Sequence, residues 1–166
     1  MDSKRKGSEF ERRVVRLIQS VLGLGPEQVY RTPMSGAHFA LGRGVDVQIQ
    51  GQPALALFPF AVECKHVRTW RPDVMAATPL RTQEAKWIAQ VEEASSRCGL
   101  APLLVMMGHG TDIWAATREP CRPAHGSGLR PRIHFHHQGQ DWVMARFLDV
   151  LEAINASYIS SGGRPE

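Results

Sequence analysis

Two short apolar stretches, Val45-Asp46-Val47 and Phe58-Pro59-Phe60-Ala61-Val62-Glu63-Cys64-Lys65, constrain this chain more than any other part of it. A strand buried on both faces reads as a nearly continuous run of Val, Ile, Leu and Phe. The second stretch begins that way, then ends on a carboxylate, a small residue and an ammonium. Alternation along a strand puts Glu63 and Lys65 on one face and turns Cys64 to the other, into apolar packing. Asp46, on a neighbouring strand, is placed to meet them. Two carboxylates and a lysine gathered at the end of an apolar sheet make a site for a hard divalent cation. Oxygen donors favour Mg²⁺ or Mn²⁺, and Mg²⁺ commonly binds through one or two carboxylates plus waters and substrate phosphates.

The rest of the chain supplies the frame of an α/β fold, a central mixed β-sheet flanked by helices. Ser8 is placed to cap a first helix, with Glu11 three residues on completing a capping box. Phe10, Val14, Leu17, Ile18 and Val21 recur at helical spacing, and Gly23, Gly25 and Pro26 end the element. Val29 to Thr32 reads as a short strand, and the polar, glycine-rich stretch from Pro33 to Gly44 as a functional loop. Val45 to Gln50 and Phe58 to Lys65 read as strands joined through Gly51-Gln52-Pro53. Val67 to Arg81 is proline-punctuated, the pattern of a surface flap. Thr82 begins a helix that Gly99 stops. Leu103 to Met107 is a buried strand, and Asp112 to Ala116 its hairpin partner. Arg118 to Arg132 reads as a loop, Ile133 to His137 as an edge strand, and Asp141 as the cap of a last helix running from Trp142 to Ile154. The tail from Ser160 is expected to fray.

A length of 166 residues suits one domain, with its core about 4–116, an extension over 117–159 and a tail over 160–166. No apolar run approaches the roughly 20 residues that span a bilayer. The polar start Met1-Asp2-Ser3-Lys4-Arg5-Lys6 leads into a helix rather than an apolar secretion segment, so a cytoplasmic setting is expected, with no membrane partner. Three cysteines without metal-type spacing fit a reducing compartment. The net charge of +4 and a pI near 9.3 suit polyanion binding. Arginine supplies 16 of the 20 basic residues, and its planar fork suits phosphate; genomic base composition or heat adaptation gives the same bias.

The order helix-borne Glu11, Asp46, Glu63-Cys64-Lys65, then a helix resembles the PD-(D/E)XK nuclease superfamily, and within it the Holliday junction resolvases of archaea and some phages. Lys6-Gly7 followed by Glu11-Arg12 resembles the opening helix of those resolvases. Ser35-Gly36 ahead of Gly44-Val45-Asp46 resembles their serine-bearing loop and metal aspartate, with Val45 where the superfamily's proline stands. Phe58 to Lys65 resembles the central motif of phage-borne members, and Trp87 to Ala94 falls where their next helix lies. The resemblance covers residues 4–116.

That resemblance implies a restriction-endonuclease-like fold and a metal-dependent DNA endonuclease. Asp46 and Glu63 would ligate Mg²⁺ (or Mn²⁺), the Cys64 backbone carbonyl would be a third protein oxygen, and Glu11 would complete the shell directly or through water. Lys65 would orient the attacking water and offset phosphate charge, and Ser35 would join the catalytic group. Arg5, Lys6, Arg12, Arg13, Arg31 and Arg43 would grip phosphates. The expected substrate is branched DNA, a four-way junction cut by a homodimer. The alternatives are another nuclease of the superfamily acting on flaps, nicks or duplex sites, and a noncatalytic DNA-binding module of the same fold. Each residue also has a plainer reading. Asp46 suits a turn cap, Glu63 and Lys65 a strand-end ion pair, Glu11 a capping-box acid with Glu9 in its place at the site, and Ser35 an ordinary turn. His134, His136 and His137 have no fourth ligand at zinc spacing.

Overall fold

The computed structural model describes residues 3–32, 44–77, 79–119 and 133–160. Its elements run α1 (Ser3–Leu22), β1 (Val29–Arg31), β2 (Val47–Ile49), α2 (Gln52–Leu57), β3 (Phe60–His66), a 3₁₀ turn (Pro72–Ala76), α3 (Thr82–Cys98), β4 (Ala101–Met107), β5 (Ile113–Arg118), β6 (Ile133–His137), β7 (Gln140–Arg146) and α4 (Phe147–Ser160). The seven strands form one mixed sheet in the order β1-β2-β3-β4-β5-β7-β6. Only β3 and β4 are parallel, joined through α3; every other neighbouring pair is antiparallel. The expected α/β architecture is the observed one.

Burial explains the layering. Phe60 and Val62 point to one face, where they meet Phe10, Val14 and Ile18 of α1 and Phe147, Leu151 and Ile154 of α4. Ala61 points to the other, against Ala94 of α3 and Val45. Farther along that second face, Ile88 and Val91 of α3 cover Leu104 and Met106. Leu103, Leu104, Val105 and Met106 are fully buried, as a central parallel strand covered on both faces requires. Each such side chain contributes about 1.5–3 kcal/mol by leaving water. Among the described residues no helix is long and apolar enough to cross a membrane.

The structure departs from the sequence reading in several places. Helix α1 starts at Ser3, so Ser8 lies inside it and caps nothing. Gly51-Gln52-Pro53 opens α2 rather than a plain turn, with proline in the first helical turn, where its missing N–H costs nothing. Strand β2 is only three residues long. Arg81, not Thr82, precedes α3, while Gly99 does end it in the left-handed conformation at φ 66°. The described residues of the expected flap over 67–81 belong to the core: Trp70, Met75 and Leu80 are buried beneath α3. Their backbone extends the β3/β4 pairing, with Val67 N–H donating to the Met107 carbonyl at 3.1 Å and His109 N–H to the Arg68 carbonyl at 3.1 Å. Gly108 permits this approach, because a Cβ there would lie 2.0 Å from the Trp70 carbonyl oxygen.

The largest departure is at the C-terminal end. Gln140–Arg146 is a strand between β5 and β6, and α4 begins only at Phe147. Asp141 therefore caps no helix; its Oδ1 lies 2.8 Å from His136 Nδ1 across the β6/β7 ladder. Trp142, Val143, Met144 and Ala145 are all buried because that strand is covered on both faces. The edge strand at 133–137 and the hairpin of β4 with β5 are as expected.

Candidate active site

The site forms where β2 parts from β3. Val47 pairs with Val62, and the Asp46 N–H also donates to the Val62 carbonyl at 2.9 Å, so two residues of one strand face one of the other. This is the arrangement of a β-bulge, which breaks alternation and re-aims a side chain. Val47 enters the core under α1, yet Val45, two residues away, packs on the opposite face with Ala61 and Ala94. Asp46 is the residue at which the chain crosses over. Gly44, at φ 71°, supplies the positive backbone angle that leads into it. The Asp46 carbonyl accepts the Thr32 N–H at 2.9 Å, so its backbone is held from both sides.

The Asp46 side chain turns toward the strand it has left. Its Oδ2 accepts the Cys64 N–H at 2.7 Å, in place of the ladder bond that the departing strand no longer offers. A strand residue presents its N–H and C=O to the same neighbour, so the Cys64 carbonyl faces this gap too. The Cys64 side chain packs against the main core, as its alternation predicts. Burial, with the nearby acids adding to it, pushes the thiol well above its ordinary range, which disfavours the thiolate.

Glu63 and Lys65 share a face, and Lys65 Nζ donates to Glu63 Oε1 at 2.6 Å. Glu11 approaches from α1, where its carboxylate is paired with Arg31 Nε of β1. The same guanidinium donates through Nη2 to Ser8 Oγ at 3.1 Å. Ser8 and Glu11 are three residues apart on one helix face, a spacing that suits a capping box and a two-point clamp for arginine equally. The sequence reading therefore missed the clamp. Glu9 is exposed, and it is Glu11 whose charge reaches Asp46 and Glu63.

Electrostatics mark the centre of the site. The Asp46 carboxyl is pushed up to about 7, first by burial and then by the charge of Glu63, with a smaller push from Glu11; the Cys64 N–H and Lys65 pull it down. Burial also raises Glu63, Glu11 adds to the rise, and the charge and hydrogen bond of Lys65 oppose it. A buried Asp46 and a half-buried Glu63, both held up against ionisation, are short of positive charge. Asp46 Oδ1 takes no hydrogen bond among the described residues. The pair Asp46 and Glu63 with the Cys64 carbonyl thus fits a hard divalent cation by donor type and by charge. Among the described residues no three His, Cys, Asp or Glu side chains gather into a metal-binding cluster, and Glu11 is paired with Arg31.

Arg5, Lys6, Arg12 and Arg13 are exposed along α1, whereas Arg31 is half-buried and engaged by Glu11. Ser35 and Arg43 lie outside the described residues, as do most of the expected loops at 33–44 and 118–132 and the tail beyond residue 160. Gln90 is exposed on α3. His134 and His136 are exposed on β6, at the far edge of the sheet from β1.

No curated protein and no solved structure matches the chain. The model of a family described as "Phage putative PDDEXK endonuclease" matches residues 2–160, nearly the whole length. A match over nearly the whole length places the chain in that family: this is a nuclease of the PD-(D/E)XK phage endonuclease family.

Proposed function

We propose that the protein is a divalent-cation-dependent DNA endonuclease that resolves four-way junctions as a symmetric dimer. The observation that carries the metal-dependent chemistry is the placement of Asp46, Glu63 and Lys65 around the gap between β2 and β3, with Glu11 at its rim. Asp46, Glu63 and the Cys64 carbonyl would hold Mg²⁺ or Mn²⁺, which supplies Lewis acidity and a more acidic water when bound.

The chain's own groups do the rest. The Cys64 N–H, 2.7 Å from Oδ2, orients the Asp46 carboxylate in the gap. Glu63 anchors the Lys65 ammonium 2.6 Å from its Oε1, so a positive charge stands ready beside the phosphate as negative charge builds on it. Lys65 also has donors left to orient the attacking water. Exposed Arg5, Lys6, Arg12 and Arg13 would track the DNA backbone by phosphate contacts, which position the substrate without reading its sequence.

Junction choice rests on the likeness of Lys6-Gly7, Glu11-Arg12 and Phe58 to Lys65 to the phage-borne resolvases. A two-fold dimer would present two such sites to two strands of like polarity. The test compares an immobile four-way junction with linear duplex of the same arm sequences, in Mg²⁺. Paired, symmetric cuts in the junction with the duplex intact support the proposal. Equal cutting of duplex, nick or flap assigns the protein to another substrate of the same chemistry.

A further inference from the structure

The site holds three acids and two bases, and the bases are unequally committed. Lys65 is bound to Glu63, an acid the proposed cation would share, while Arg31 is bound to Glu11 at the rim. Glu11 is well covered, whereas the Arg31 side chain is 28% exposed and so has room to turn outward. Its second anchor, Ser8 Oγ at 3.1 Å, is neutral and holds it only weakly. With Asp46 ionised, the five side chains sum to one negative charge. A divalent cation would reverse that sign, weakening the hold on the guanidinium and adding a competitor for Glu11. A phosphodiester would then restore balance, and a guanidinium fork suits phosphate as well as it suits carboxylate.

We propose that Arg31 is an exchange residue: in the free protein it occupies Glu11 in the cation's stead, and when cation and DNA bind it passes to a backbone phosphate. The inference rests on the metal-site reading above. It makes Arg31 a positioning residue for Glu11 in one state and a DNA contact in the other. Cation binding and DNA binding would thereby assist each other, since each releases what the other needs.

The experiment measures Mn²⁺ binding by calorimetry and junction binding by fluorescence anisotropy, on the full chain. Without DNA, Arg31→Gln is expected to bind Mn²⁺ about fivefold more tightly, the scale of one partly exposed ion pair. With Mn²⁺ present in a Lys65→Met background, which slows cleavage and keeps both acids, Arg31→Gln is expected to flatten the slope of log affinity against log salt by about one. Unchanged or weaker Mn²⁺ binding by a folded Arg31→Gln protein overturns the proposal. Glu11→Gln gives an arm that needs neither that variant nor metal: in EDTA it frees the guanidinium, so junction affinity should rise and its salt slope steepen by about one. No change there overturns the proposal as well. Failure of the wild-type protein to bind Mn²⁺ at all would instead sink the metal-site reading, and the EDTA arm would still report on Arg31.

Discussion

The Asp46 carboxylate holds the Cys64 N–H at 2.7 Å in place of a backbone carbonyl, so a side chain closes a ladder that the strands themselves leave open. This one bond ties the fold to the chemistry. It fixes a buried carboxylate at the mouth of the gap, with its other oxygen outside that bond. It also states the cost, since Asp46 is 9% exposed and ionises against both burial and the charge of Glu63.

That cost sets a pH dependence. Asp46 has an ordinary value of 3.8 and a folded value of about 7, so between these limits the folded protein binds more protons than the unfolded chain. Its contribution to stability therefore declines as pH rises from about 4 to about 7 and is flat above. Asp46→Asn keeps an oxygen for the Cys64 N–H and removes the charge. In EDTA, the melting temperature of Asp46→Asn relative to wild type should rise steadily across that window. Saturating Mn²⁺ should stabilise wild type at pH 7.5 and leave the variant unmoved. A difference that is constant with pH contradicts the assignment.

Lys65→Met should separate chemistry from cation binding. Removing the ammonium frees Glu63 Oε1 and leaves both acids in place. Mn²⁺ affinity should hold or improve, while the single-turnover cleavage rate falls by about a hundredfold or more, the scale of a lost positioned charge or proton donor. Equal losses in both quantities would show that Lys65 is only structural.

Phosphate contacts from α1 should show as salt dependence. Arg12→Ala and Arg13→Ala, both at exposed positions, should each lower the slope of log affinity against log salt by about one and weaken all DNA substrates alike. Loss of preference between junction and duplex, with the slope unchanged, would contradict backbone tracking.

Gly108→Ala tests the segment that leads from the site to α3. The added methyl would meet the Trp70 carbonyl at 2.0 Å, a backbone atom that cannot yield without breaking the bonds between residues 67–70 and 107–109. A loss of about 1–3 kcal/mol in urea unfolding is expected. Full stability would mean that residues 67–70 are not pinned there.

Much of this was legible in the residues. The alternation of Phe60, Val62 and Cys64 against Ala61, Glu63 and Lys65 predicts both the core face and the facing acid–base pair, because a two-residue period admits one arrangement once one face is buried. The bulge at Asp46 was not readable, since it depends on how β2 meets β3 and leaves no mark in Val45-Asp46-Val47. Residues 140–146 read as a helix start because Asp141 before an apolar run satisfies a capping pattern, and a doubly covered strand shows no alternation to contradict it. Residues 67–81 read as a flap because prolines suppress periodicity, although Trp70, Met75 and Leu80 carry the segment into the core. The Arg31 clamp was hidden by ambiguity: Ser8 and Glu11 fit a cap, and only the chain crossing from β1 shows whom they hold.

The most direct measurement is cleavage of a labelled four-way junction by wild type and Glu63→Gln, each in Mg²⁺ and in EDTA, with binding followed in parallel. The account predicts cutting by wild type in Mg²⁺ alone and none by Glu63→Gln, which still binds the junction. Wild-type cleavage rates from Glu63→Gln, or cutting by wild type in EDTA, would contradict a hydrolytic site built on Asp46 and Glu63 around a divalent cation.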